Sequence, residues 1–124
     1  MSRTLLFLAA LASLGGNVAA AKVRPVPAAT PDGKPVSCIP LPIQESRVRD
    51  DRTIDFFARG KVYRNVLPNS CPSLGFEQAF SYETSLSQLC STDIITVLQR
   101  TGGSYMRGAS CGLGQFQPVT GVKR

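Results

Sequence analysis

A chain of 124 residues with 43% apolar side chains is long enough for one globular domain with a modest core. It contains no histidine, which excludes a Ser-His-Asp or Cys-His nucleophile and removes the usual general base at neutral pH. The formal net charge of +6 favours anionic partners, although a charge of this size also serves solubility alone.

The N-terminus has the three-part pattern of a cleavable secretory signal. Arg3 supplies a positive charge, residues 5–14 (LLFLAALASL) form an apolar run too short to span a bilayer, and an Ala-x-Ala site ends at Ala21. The sequence therefore predicts a signal peptide over residues 1–21, with cleavage before Lys22 and cleavage one residue earlier as the close alternative. We accordingly expect an exported protein, periplasmic or extracellular, with no stable membrane insertion.

Prolines recur through residues 22–37. Because proline lacks the amide needed for sheet ladders and forces its predecessor to be extended, this segment is predicted to be a flexible, polyproline-like tether. An ordered domain is expected over residues 38–119, followed by a short C-terminal tail over residues 120–124.

Four cysteines, Cys38, Cys71, Cys90 and Cys111, follow the signal, and an even number in this setting predicts two disulfides. The absence of a Cys-x-x-Cys pair argues against structural zinc and a thioredoxin-like redox role, so we expect no metal and no cofactor. Spacing alone allows three pairings. We favour Cys71–Cys111, linking the loop after a predicted hairpin to the last strand, and Cys38–Cys90, linking the start of the domain to the edge of a strand over 94–98.

A β-hairpin is predicted over residues 53–67. Apolar and other side chains alternate from Ile54 to Arg59, which is typical of a half-buried strand. The strand formers VYRNVL (62–67) follow Gly60, so the turn is placed at Arg59-Gly60. The acidic residues before the hairpin, in 50–52, are typical of a turn.

The remaining elements are less regular. Residues 68–73 are predicted to form a loop, and 74–83 fits either a helix or an extended run. The glycine-rich stretch 99–110 is interpreted as a mobile loop, and 111–119 as the last strand, with Pro118 placing its end at a sheet edge. Short strands separated by turn signals predict a mainly β fold: a small disulfide-stapled antiparallel sheet or barrel-like domain.

The order and spacing of several short motifs resemble a family of small exported bacterial proteins, domain of unknown function 6491. These motifs are Cys38-Ile39, VRDDRTIDF (48–56), Tyr63, Leu67, CPSLGF (71–76), LCSTD (89–93) and CGLGQF (111–116). The resemblance covers residues 38–119. It implies a Gram-negative source and a periplasmic or envelope setting, and it implies no activity and no catalytic residue.

Basic residues cluster in the predicted hairpin and the segment before it: Arg47, Arg49, Arg52, Arg59, Lys61 and Arg64, with Tyr63 among them. Arg59, Lys61 and Arg64 form a candidate anion-binding patch, since basic residues around an aromatic ring can hold a phosphate or sulfate polymer. The alternative is that these charges protect strand edges from pairing. Lys61 and Arg64 are three positions apart on one strand and therefore point to opposite faces of the sheet. The three residues need not form one continuous patch.

No catalytic constellation is found. The carboxylates that a glycoside hydrolase would need are Asp50, Asp51, Asp55, Glu77, Glu83 and Asp93. Those in 50–51 and before the strand at 94 are better explained as turn residues, and a small hydrolase ranks last among the hypotheses.

The sequence favours a non-enzymatic exported protein with a binding or structural role. The second hypothesis is a small inhibitor or accessory subunit of an envelope enzyme. The expected partner is an anionic envelope component or an envelope protein, and nucleic acid is not expected.

Overall fold

The computed structural model describes residues 25–84 and 86–124; the predicted signal peptide lies outside them. This part of the chain is mainly antiparallel β, as predicted, and it contains no helix long and apolar enough to cross a membrane. The elements are β1 (Thr30–Pro31), β2 (Cys38–Pro40), β3 (Glu45–Val48), β4 (Thr53–Ala58), β5 (Lys61–Val66), α1 (Leu74–Glu77), β6 (Phe80–Tyr82), β7 (Gln88–Cys90), β8 (Ile94–Thr101), β9 (Ser104–Gly112) and β10 (Phe116–Thr120).

The strands form three sheets. The largest has five strands in the order β1-β10-β5-β4-β3, the second pairs β2 with β7, and the third has the order β6-β8-β9. Every pairing among them is antiparallel, and they do not close into a barrel.

The predicted hairpin over residues 53–67 is confirmed as β4 and β5. Their register pairs Ala58 with Lys61, so the turn consists of Arg59 and Gly60. Both turn residues have positive φ, 51° and 75°, which is the type I′ geometry whose twist matches that of the flanking strands.

The half-buried character predicted for β4 is wrong, because all six of its residues are buried. Ile54 and Phe56 point into the core, and Asp55 and Phe57 lie on the opposite face of the sheet. That outer face is covered as well: the guanidinium of Arg124 lies 5.3 Å from the centre of the Phe57 ring. The C-terminal residues therefore fold back over the strand.

The core lies between the inner face of the five-stranded sheet and the two smaller sheets. Phe56 is at its centre, with edge-to-face contacts to Phe80 at 6.1 Å and Phe116 at 5.6 Å. Each sheet contributes buried aliphatic side chains: Ile54 from the five-stranded sheet, Ile39 and Leu89 from the two-stranded sheet, and Ile95 and Val97 from the three-stranded sheet.

The stretch 99–110, predicted to be a mobile loop, instead belongs to two long strands. β8 extends to Thr101 and β9 begins at Ser104, so Gly102 and Gly103 form a two-residue turn. Both glycines have positive φ, 58° and 84°, which again fits a type I′ turn. The glycines marked a turn between strands rather than a loop.

The predicted last strand over 111–119 divides into two elements. Its first residues complete β9, whereas Phe116–Thr120 form β10. The connection between them is held by Asn65, whose side-chain amide accepts from the Gly114 N–H at 2.8 Å and donates to its carbonyl at 2.7 Å. A Cβ at Gly114 would overlap the carbonyl oxygen of Val66, so this glycine allows a close backbone approach.

The proline-rich segment is attached to the sheet over part of its length. Thr30 and Pro31 pair with the end of β10, and Val36 exchanges two backbone hydrogen bonds of 2.8 Å with Phe116. Residues 30–36, expected to belong to a flexible tether, are therefore anchored beside β10. Pro118 is consequently in a strand with neighbours on both sides rather than at an edge.

Both predicted disulfides are confirmed, Cys38–Cys90 and Cys71–Cys111. The first lies between directly paired residues of β2 and β7. The second joins the loop after β5, where Cys71 is fully buried, to β9. Disulfides persist in oxidising environments, so this framework indicates an exported location.

Candidate functional site

The outer half of the β8–β9 hairpin extends beyond the core. Val97 is the last buried residue of β8, and every residue from Arg100 to Arg107 is exposed. We call residues 100–107 the arm. Tyr105 and Met106 are each 57% exposed on opposite faces of β9, so the arm presents large apolar side chains to solvent on both of its faces.

A cross-strand pair orders the arm near its tip. Arg100 lies directly opposite Tyr105, donates a hydrogen bond of 3.1 Å to the phenol oxygen, and has its guanidinium 5.5 Å from the ring centre. Cation–π and hydrogen-bonding contacts of this kind hold an aromatic side chain in one orientation. The Tyr105 ring is thus exposed to solvent but held in one orientation.

The single-turn helix α1 lies beside the base of the arm and carries the most exposed aromatic ring among residues 25–84 and 86–124. Phe76 is 86% exposed. The preceding Gly75 donates its N–H to the Asp51 carboxylate at 2.7 Å, and the following Glu77 accepts from the backbone N–H of Arg100 at 3.3 Å. The residues on both sides of Phe76 are therefore held by the rest of the molecule.

β9 is the longest strand and lies at the edge of its sheet. It has nine residues, and among the described strands it pairs only with β8. The edge strands of the five-stranded sheet are much shorter: β1 has two residues and β3 has four. Long edge strands without proline are rare because their free N–H and C=O groups can pair with another chain. The outer edge of β9 is available for such pairing.

We define the arm surface as Phe76, Arg100, Tyr105, Met106 and the outer edge of β9. Little in the sequence indicates this surface, because a glycine-rich stretch such as 99–110 is also typical of a loop. Two signals could have revealed it: a Gly-Gly pair between strand-length segments, and two adjacent large apolar residues in an otherwise polar stretch.

The three residues of the candidate anion-binding patch do not share one environment. Arg59 and Lys61 are exposed at the β4–β5 turn. Arg64 is on the opposite face of β5 from Lys61, and its guanidinium forms two hydrogen bonds with Asp55, at 2.8 and 3.0 Å. Anion binding by this set stays a prediction, and the geometry separates Arg64 from the other two.

Asp55 is the centre of a buried charge cluster that sequence reasoning missed. Its side chain has no exposed surface and accepts from Arg64 and from Arg49, whose Nε is 2.8 Å away; these arginine side chains are 15% and 13% exposed. Arg49 also donates to the carbonyl of Lys123 at 2.9 Å. Two cations on one carboxylate leave the cluster with one net positive charge.

Three other aspartates accept hydrogen bonds from backbone amides. Asp50 accepts from Arg52 at 2.8 Å, Asp51 from Gly75, and Asp93 from Cys90 at 2.7 Å. The local contacts of Asp50 and Asp93 agree with the prediction that these residues organise turns. The Asp51 carboxylate instead joins its segment to α1, 24 residues away. No three His, Cys, Asp or Glu residues of the described ranges lie close enough together to hold a metal ion.

No family model, no curated protein and no solved structure matches this chain. The arm surface and the Asp55 cluster are therefore the features from which a role can be inferred. The first is apolar, exposed and held in place, and the second is largely buried.

Proposed function

We propose that this chain is a non-enzymatic exported protein that binds another envelope protein through the arm surface. One observation carries the proposal: a nine-residue strand with a free outer edge presents two exposed apolar side chains, Tyr105 and Met106. Phe76 is exposed next to the neighbouring strand β8. Monomeric proteins seldom leave such an edge without protection. Aromatic residues, methionine and arginine are also the types enriched in protein–protein interfaces.

Strand addition is the mode of binding that fits this surface. An extended segment of the partner would pair with the backbone of β9, while alternate side chains contact Tyr105 or Met106. The exposed charges of the arm are Arg100 and Arg107, and the chain as a whole is basic. Because complementary charges accelerate and orient association, the expected partner segment is extended and acidic.

A second role uses the same surface. The arm extends beyond the core, and its hairpin is fixed by a tight turn and the Arg100–Tyr105 contact. A preorganised hairpin loses little conformational entropy when it binds in a cleft. This favours the role of a small inhibitor or accessory subunit of an envelope enzyme over that of a scaffold with no binding partner.

Site-specific photo-crosslinking in living cells tests the proposal. A photoreactive residue at Met106 is expected to give a discrete adduct with one partner, whereas the same residue at Arg59, in the other hairpin turn, is expected to give none. Truncating Phe76 and Tyr105 to alanine in the Met106 reporter should reduce the adduct at least about tenfold, the effect typical of removing interface hot spots. Equal adducts from Met106 and Arg59, or an adduct unaffected by the truncations, would contradict it.

Export is tested separately by mass spectrometry of the protein recovered from periplasm or medium. The expected intact mass is that of a chain starting at Lys22 or Ala21, with both disulfides formed, since a signal peptide over residues 1–21 would be removed during secretion. A recovered chain that retains residues 1–21 would contradict the cleavage, and free thiols would contradict the oxidised framework.

A further inference from the structure

A groove of about 360 Å³ lies on the outer face of the five-stranded sheet, whereas the arm belongs to the three-stranded sheet. Its lining is mostly apolar and includes Pro31, Pro35, Val66 and Val119, with Arg64 at one wall. Pockets that hold small molecules begin at about 300 Å³ and combine apolar walls with a few placed polar groups. The groove has both properties.

Strand pairing accounts for the shape of the groove. β5 and β10 form the floor, where Gln117 lies opposite Arg64, and Pro31 of β1 lies opposite Val119. The loop after β1 forms the wall, because Gln117 donates its side-chain N–H to the Gly33 carbonyl at 2.9 Å. Part of the proline-rich segment is thus one side of the groove.

The polar wall is positively charged. Arg64 directs Nε and one terminal nitrogen to Asp55, which uses only part of a guanidinium that has five N–H donors. Asp55 is shared with Arg49, so the carboxylate does not neutralise both arginines. The excess charge is held next to apolar surface, since Val66 is 50% exposed and follows Arg64 on the same face of β5.

We propose that this groove binds a fatty-acid carboxylate with a single acyl chain. The carboxylate would accept charge-assisted hydrogen bonds from Arg64, and the acyl chain would lie along the prolines and valines of the lining, where burial of apolar surface stabilises it. Asp55 fixes the guanidinium in place before the ligand arrives. This site is independent of the arm surface, so either can fail without the other.

The site is tested by titrating the full oxidised chain with dodecanoate below its micellar concentration. Isothermal titration calorimetry measures the affinity, and amide chemical-shift mapping locates the site. We expect one saturable site with shifts centred on Arg64, Val66 and Gln117. Dodecanol, which has the same chain and no charge, should bind at least about tenfold more weakly, because the ion contact is lost.

A matched pair of variants separates the groove from general surface effects. Val66→Glu places a carboxylate beside Arg64 and should weaken dodecanoate binding at least about tenfold by repulsion and competition. Ile94→Glu makes the same change at a comparably exposed position, 57% against 50%, in another sheet, and should leave affinity within about twofold. The proposal is overturned by the absence of saturable binding, by equal affinity for dodecanol, or by equal effects of the two variants.

Discussion

Replacing Asp55 by alanine should lower the free energy of unfolding by about 3–5 kcal/mol, the cost typical of removing one partner from a buried ion pair. The carboxylate has no exposed surface and lies 2.8 Å from both Arg49 and Arg64. Without it, two largely buried guanidinium groups would remain close together with no counter-charge. Urea unfolding monitored by circular dichroism measures the loss.

Glu83→Ala is the control for this experiment. Glu83 also pairs with an arginine, Arg107, but at 3.8 Å and with side chains 90% and 77% exposed. Solvent-exposed pairs of this kind contribute about 0–1 kcal/mol. A comparable decrease in the free energy of unfolding for Asp55→Ala and Glu83→Ala would contradict the view that the Asp55 cluster stabilises the protein because it is buried.

A triple variant distinguishes charge from packing. Converting Asp55 to Leu and both Arg49 and Arg64 to Met removes all three charges and retains apolar volume. Buried ion networks replaced in this way are often as stable as the original, so the triple variant should recover most of the stability lost in Asp55→Ala. If it is as unstable as the single variant, the penalty comes from packing and not from unpaired charge.

The burial of Asp55 illustrates what the local pattern of a strand can predict. Period-two alternation in β4 correctly assigned Ile54 and Phe56 to one face and Asp55 to the other. It could not indicate that the second face is also covered. Arg49 and Arg64 cover Asp55 from the two sides of β4, and Arg124 covers Phe57 from the far end of the chain. Whether an outward-facing residue meets solvent is a tertiary property that strand periodicity does not contain.

The arm was missed for a different reason. Glycine is common both in loops and in tight hairpin turns, and residues 99–110 contain three glycines. Only two of them, Gly102 and Gly103, have positive φ and form the turn; Gly108 lies within β9 and packs against Gln99. The same glycine signal correctly identified the Arg59-Gly60 turn because strong strand formers followed it at once.

The disulfide pairing was predicted correctly because it depended on which elements are joined rather than on their detailed conformation. The predicted Cys71–Cys111 disulfide is correct even though Cys111 belongs to β9 and not to the last strand. Candidate binding residues were harder to predict. Arg64 was grouped with Lys61 by proximity in sequence, yet its geometry is determined by Asp55 on the neighbouring strand.

Removing Cys71–Cys111 by a double alanine substitution should destabilise the protein by about 4 kcal/mol or more. The chain-entropy model gives about 4 kcal/mol for a loop of this length, and the two cysteines are 40 residues apart. An added loss arises because Cys71 is fully buried in the core, and truncating a buried side chain leaves a cavity. Urea unfolding without reductant measures the sum.

Removing Cys38–Cys90 is the matched comparison. Its separation of 52 residues gives nearly the same loop entropy, about 4 kcal/mol, but both cysteines are only half-buried. We therefore expect the Cys71–Cys111 variant to be the less stable of the two. Native-state hydrogen exchange adds a spatial test, since local opening follows structural units: loss of Cys38–Cys90 should expose the amides of β2 and β7 first. Equal deprotection of β4 and β5 in that variant would contradict this assignment, because it would mean that the peripheral two-stranded sheet and the central hairpin unfold as one unit.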